Sequence, residues 1–93
     1  MVNYVLTLHL HTSIPSEDHI LTGEVTNKMT ILNGVILLLS KNKNVSELLI
    51  SNNDIRTGYL LISEKVELRT TKKLFSKFGS NTEIKIIPIS HGG

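Results

Sequence analysis

Hydrophobic residues recur with a period of two at both ends of this 93-residue chain and with a helical period in one segment between them. No other feature restricts the fold as much. Period two sends alternate side chains to opposite faces of a strand, whereas period 3.6 gathers them on one side of a helix. In Val2–Thr12 the residues Tyr4, Leu6, Leu8 and Leu10 share one face, and Val5, Thr7, His9 and His11 share the other. A loop over Thr12–Asp18, with Ser13, Pro15 and Ser16, leads into a weaker alternation over His19–Thr26. There Ile20, Thr22 and Glu24 oppose Leu21 and Val25, so the two segments read as a hairpin. From Thr30 to Lys43 the period changes: Ile31, Leu32, Val35, Ile36, Leu38 and Leu39 fit a helix with a broad apolar face. Thr30 or Asn27 would cap its start, and Lys41 and Lys43 fall in or just after its last turn. Gly34 costs such a helix about 1 kcal/mol relative to Ala, which points to a place where the helix lies close on the sheet.

The second half is more broken. Val45–Ile50 is short and apolar and reads equally as a helix tail or a brief strand. Turns are expected at Asn52–Asp54 and Gly58, a buried strand at Tyr59–Ile62, a turn at Ser63–Lys65 and a short partner strand at Val66–Leu68. Leu74, Phe75 and Phe78 suit a short helix or 3₁₀ segment within Thr70–Phe78, with a turn over Gly79–Thr82. Glu83–Ile89 alternates again, with Ile84, Ile86 and Pro88 on one side and Glu83, Lys85, Ile87 and Ile89 on the other. Pro88 cannot donate to a ladder and should end that strand. This order predicts an α+β fold, a β-grasp (ubiquitin-like) roll over residues 1–89. Its mixed sheet of four to five strands would cover one main helix, with the first and last strands as parallel neighbours.

Composition narrows the chemistry. With no cysteine, disulfide scaffolds, Cys-ligated zinc, iron–sulfur clusters and thiol nucleophiles are excluded. Ten basic against eight acidic residues give a net charge of +2, and aromatics are 4% of the chain. A direct nucleic-acid binder would show a denser basic stripe interleaved with aromatics. The longest apolar run, Val35–Leu39, is far short of the ~20 residues of a membrane helix. Met1–Leu10 lacks a basic leader and alternates with polar residues, so a cytoplasmic location is expected, away from membranes.

The last two residues, Gly92 and Gly93, have no side chains and can thread a narrow channel held by backbone hydrogen bonds. Fully extended, Ser90–Gly93 reaches about 13 Å at ~3.4 Å per residue, enough to bring a terminal carboxylate into a partner's active site. A carboxylate is a poor acyl donor until ATP converts it to a mixed anhydride. A glycine tail on a small rigid body therefore suits a carried acyl group.

The stretch Glu83-Ile-Lys-Ile-Ile-Pro-Ile-Ser-His-Gly-Gly93 resembles the end of the ubiquitin-related modifier family, an apolar strand followed by His-Gly-Gly. Asp54-Ile-Arg-Thr-Gly-Tyr-Leu-Leu-Ile62 resembles that family's Arg-Pro-Gly-x-Leu-x-Leu-Ile segment, with Thr57 in place of the proline. Ser63-Glu64 replaces the usual Asn-Asp turn, and Gly79-Ser-Asn-Thr-Glu83 the usual Gly-Asp-Glu. The resemblance covers about the last forty residues, and the first half matches in pattern only. The small subunit of molybdopterin synthase and the thiamine-pathway sulfur carrier are similar in fold and in Gly-Gly but usually lack the histidine.

The resemblance implies a non-enzymatic carrier, itself the substrate of a ubiquitin-activating-type adenylating enzyme that uses ATP, with no cofactor bound to the carrier. Gly93 would supply the activated carboxylate, Gly92 the slim backbone, and His91 would tune recognition. The product would be a thiocarboxylate giving sulfur for tRNA thiolation, through the thiolation enzymes, or an acyl donor joined to lysines of target proteins. Lys85, Ile87 and Ile89, turned away from the expected core, would form a docking patch beside the tail. Two rival readings are the small sulfur-carrier subunit of molybdopterin synthase and a β-grasp protein-binding module with an incidental tail.

Weaker candidates remain. His9 and His11 share a strand face and His19 could join them, but a metal site needs a third ligand and hydrogen-bond partners that orient the ligating rings, and exposed strand positions explain them. Ser13, Ser16 and Asp18 lack the geometry of a nucleophilic unit, and a loop accounts for them. Lys72, Lys73 and Lys77 form a local cluster that could meet RNA or an acidic partner but reads first as a solvated helical face.

Overall fold

The computed structural model describes residues 1–89. Strand β1 (Asn3–Leu10) runs antiparallel to β2 (Ile20–Thr26), in register from Asn3 opposite Thr26 to His9 opposite Ile20. Leu6, Leu8 and Leu10 are buried as the alternation requires, and Val25 joins them from β2. Asn27 closes this hairpin: its N–H donates to the Val2 carbonyl (3.0 Å) and its side-chain oxygen accepts from the Val2 N–H (3.3 Å). The helix cap is therefore Thr30, whose hydroxyl accepts from the Asn33 amide at 3.1 Å.

Helix α1 (Ile31–Leu39) crosses the inner face of the sheet and ends four residues before the expected Lys43. The side chain of Asn42 accepts from the Val45 amide at 3.2 Å and starts a second helix, α2 (Lys43–Leu49). A local side-chain bond thus outcompetes continuation of the first helix. Lys41 follows the Ser40 cap just after the last turn of α1, as expected, whereas Lys43 opens α2. Both readings of Val45–Ile50 are realised in part. Val45 and Leu49 are buried helical residues, and Ile50 begins β3 (Ile50–Ser51), which pairs with β4 (Asp54–Ile55). Asn52 and Asn53 turn this small hairpin at φ 54° and 59°, a region asparagine tolerates.

Strand β5 (Tyr59–Ser63) folds back into β6 (Val66–Glu67) around Glu64 and Lys65, also at positive φ. A 3₁₀ turn (Lys73–Phe75) precedes β7 (Thr82–Pro88). The mixed five-stranded sheet has the order β2-β1-β7-β5-β6, with β7 parallel to β1 from Leu6–Thr82 to Leu10–Ile86 and antiparallel to β5. The expected parallel pairing of first and last strands is present. The core lies between this sheet and the helices, centred on Leu6, Leu8, Val35, Leu39, Leu61 and Ile84, all at 0% exposure.

Gly34 marks a close approach, chiefly to Phe78 in the segment before β7 and less tightly to the sheet residue Val25, where the sequence pointed to the sheet alone. A Cβ there would lie 2.6 Å from the Phe78 ring and 3.2 Å from Val25. Leu74 and Phe78, four residues apart, turn inward, but Phe75 does not pack with them and is 70% exposed. The single 3₁₀ turn can direct only one face to the core, and Leu74 occupies it. No helix among the described residues is long and apolar enough to cross a membrane.

Candidate functional site

Pairing on both sides puts β7 in the middle of the sheet, and its alternation assigns each residue a face. Ile84 and Ile86 are fully buried, while Glu83 and Lys85 are exposed on the outer face. Lys85 lies between His9 of β1 and Ile62 of β5, and Ile87 lies opposite Leu60. Among the described residues no helix covers this side. Leu60, Ile62 and Ile87 are half-buried there, forming an apolar strip with Lys85 beside it. Tyr59–Ile62 is therefore not buried on both faces, and only Leu61 is fully inside. Strict alternation within that run would have assigned Leu60 and Ile62 to the docking face, but an unbroken apolar run hides the alternation.

The strand is held up to its last described residue. Pro88 pairs opposite Tyr59, and the Ile89 N–H donates to the Gly58 carbonyl at 2.8 Å. Ile89 itself is 37% exposed. The two sequence blocks that carry the family resemblance, Asp54–Ile62 and Glu83–Ile89, thus meet where the chain leaves the sheet. Arg69 braces the first block from behind, donating to the Ile55 carbonyl at 2.7 Å and the Arg56 carbonyl at 3.4 Å. Ser90, and with it His91, Gly92 and Gly93, which carry the expected tail roles, lie outside the described residues.

The electrostatics of this face are modest. Among the described residues His9 Nε2 and Glu83 Oε1 approach to 2.9 Å, a side-chain hydrogen bond between two groups too exposed for it to add much stability. Lys85 has no ion-pair partner among those residues. Glu67 holds the neighbouring strand edge, its carboxylate accepting from the amides of Leu61 (3.1 Å) and Thr70 (2.7 Å). Partial burial pushes this carboxyl up. The amides of Thr70, Leu61 and Arg69 and the Thr70 side chain more than offset that and hold it below the usual carboxylate range.

The three described histidines go to three different partners. His9 meets Glu83, His11 Nδ1 meets the Ser13 hydroxyl at 2.7 Å, and the His19 ring meets the Ile14 carbonyl at 2.9 Å. Among the described residues no group of three His, Asp or Glu side chains could hold a metal ion. Ser13 and His11 belong to one local turn, closed by the Ile14 N–H on the His11 carbonyl, and Ser16 donates to the backbone of Asp18. These are loop interactions. The lysine cluster is not a helical face: Lys72 is a left-handed turn residue, Lys73 starts the 3₁₀ turn, and Lys77 reaches the Lys28 carbonyl at 2.8 Å.

Comparison with solved structures gives matches along nearly the whole chain. The solution structure of small archaeal modifier protein 1 from Methanosarcina acetivorans superposes with a TM-score of 0.77 at 12% identity, covering 100% of both chains. The crystal structure of SAMP1 from Haloferax volcanii gives 0.74 at 11% identity, covering 96% of this chain and 99% of that one. The solution structure of the HVO 2177 protein of Haloferax volcanii gives 0.74 at 12% identity, covering 98% and 88%. The fold is the β-grasp fold. The roll expected from the order of the strands is thereby established, with five strands and a second, shorter helix. At this identity the likeness is one of fold. No family model matches the sequence, and no curated protein does.

Proposed function

We propose that this chain is a ubiquitin-like modifier and sulfur carrier, and that Gly93 carries the activated group. The observation that carries the reading is the meeting of the Asp54–Ile62 and Glu83–Ile89 blocks at the end of β7, just before His91-Gly92-Gly93 in sequence, on a fold shared with proteins named as modifiers. In this reading the Gly93 carboxylate attacks the α-phosphorus of ATP in a ubiquitin-activating-type enzyme and pyrophosphate leaves. Sulfide then attacks the acyl carbon of the adenylate and displaces AMP, leaving a thiocarboxylate that serves tRNA thiolation. Attack by a lysine amine of a target protein instead gives an isopeptide bond, again with loss of AMP. The carrier performs no catalysis itself. Lys85, Ile87 and Ile89 dock the body while Gly92 lets the backbone enter the channel and His91 tunes recognition.

The test is ATP–pyrophosphate exchange with the activating enzyme from the same source, alongside thermal melting. Deleting Gly93, adding one residue after it, which moves the carboxylate by about 3.4 Å, or Gly92→Phe should each abolish exchange. None of these touches the described core, so stability should change by less than about 0.5 kcal/mol. Normal exchange by the deletion variant would refute the carrier reading and favour a binding module.

A further inference from the structure

The loop that joins β6 to β7 holds one side chain in an unusual position. Phe75 is 70% exposed, more than any other aromatic in the described chain: Phe78 is buried, and Tyr4 and Tyr59 are half-buried. The loop around it is firmly mounted. Leu74 and Phe78 are each 3% exposed, the Ile31 amide donates to the Ser76 carbonyl at 2.9 Å, and the Phe78 amide donates to the Met29 carbonyl at 3.2 Å. Thr30 and Lys77 form a β-bridge, and Lys77 Nζ donates to the Lys28 carbonyl at 2.8 Å. The phenyl ring is thus presented by a fixed support, and little ordering is required when it binds.

The surroundings of the ring are cationic. Lys28, Lys72, Lys73 and Lys77 lie on the two segments that meet here, and none is in an ion pair among the described residues. Neither Val25–Ser46 nor Leu68–Thr82 contains an aspartate or glutamate. The nearest acids in sequence, Glu67 and Glu83, lie eight residues to either side of Phe75; the oxygens of Glu67 are engaged by backbone amides, and Glu83 meets the His9 ring at 2.9 Å. An exposed ring amid uncompensated ammonium groups complements an apolar pocket rimmed by carboxylates. A single-stranded nucleic acid would need several stacking rings in succession, and here there is one. An anionic membrane would need a wider apolar face than a single phenyl supplies.

The geometry points to a second docking surface, in which Phe75 enters an apolar pocket on a partner protein while Lys28, Lys72, Lys73 and Lys77 face acidic residues at the rim. This loop leads into the start of β7, and Ile89 lies beyond the other end of that seven-residue strand, about 23 Å away at roughly 3.3 Å per residue. A protein bound at Phe75 leaves the Ile89 end of β7 uncovered, while Lys73 and Lys85 line one groove between the two surfaces.

The test replaces Phe75 with the photo-crosslinking residue benzoylphenylalanine in cells that make the full chain, with the same residue at exposed Asn44 as control. The expected result is one protein crosslinked from position 75 and not from 44, through a segment rich in Asp and Glu. With that protein purified, Phe75→Ala should weaken binding by about tenfold or more, and Lys72→Glu with Lys73→Glu should do likewise. Added salt should weaken the wild-type complex more than that of the double lysine variant. Melting temperature and pyrophosphate exchange should stay at wild-type values, which separates this surface from the tail. The proposal is overturned by the same crosslinks from both positions, by RNA or lipid as the crosslinked species, by a crosslinked segment without acidic residues, or by unchanged affinity of Phe75→Ala.

Discussion

Gly34→Ala sets two known effects against each other. An alanine inside α1 would gain about 1 kcal/mol of helix propensity over glycine. The added methyl, however, would stand 2.6 Å and 2.7 Å from Cε2 and Cζ of Phe78, with Val25 Cγ1 at 3.2 Å. Carbon atoms rest about 3.5–4 Å apart, so the ring must retreat by about 1 Å. It has little room: Phe78 is 3% exposed and its amide is tied to the Met29 carbonyl. Overpacking of this kind costs about 1–3 kcal/mol, which exceeds the propensity gain at most of its range. The expected net loss is about 1 kcal/mol, a fall in Tm of about 4–8 °C for a domain of this size. Urea titration of Gly34→Ala, Phe78→Leu and the double variant isolates the clash. Leucine lacks the ring atoms that collide, so the double variant should be more stable than additivity allows by about 1 kcal/mol. A Gly34→Ala protein more stable than wild type, or a strictly additive double variant, would refute the packing argument.

Two further outcomes follow from the site. Ile87→Asp, on the half-buried outer face, should leave the chain folded with a loss of at most about 1.5 kcal/mol while raising the activating-enzyme KM in pyrophosphate exchange; Ile86→Asp, on the 0%-exposed face, should unfold it. Equal unfolding by both would show that Ile87 belongs to the core. Because the folded carboxyl of Glu67 titrates below its ordinary value of 4.5, its contribution is fully present above that value and is lost as pH falls through the folded value. Glu67→Gln should therefore lower the urea midpoint at neutral pH by the equivalent of about 1 kcal/mol and flatten its dependence between neutral and acid pH. Parallel profiles for the two proteins would contradict the assignment.

The strands at both ends were legible because alternation is a property of the backbone itself: Leu6, Leu8, Ile84 and Ile86 had only one face on which to be buried together. Gly34 was legible as a loss of side chain inside a helix, and the cap was narrowed to Thr30 or Asn27, between which the structure chose. Three features were not. The break between α1 and α2 rests on whether Asn42 bonds an amide three residues ahead, which competes closely with continuing the helix. The β3–β4 hairpin has strands of two residues each, too short to show any period. The exposure of Leu60, Ile62 and Phe75 depends on what covers them, and composition looks the same with or without a cover.

The sequence alone thus determined the first hairpin, the main helix and the last strand in their order, the face each residue of the long strands would present, and the glycine residues on which the proposed chemistry rests. All of these follow from interactions within a few residues of one another. Only the tertiary structure decided the register of β7 against β1, the contact of Ile89 with Gly58, and the joining of Lys28 to the Lys72–Lys77 loop. Each brings together residues 31 to 76 positions apart. Their pairing is settled by which arrangement buries the shared apolar face of the whole molecule, a condition that no single segment can express.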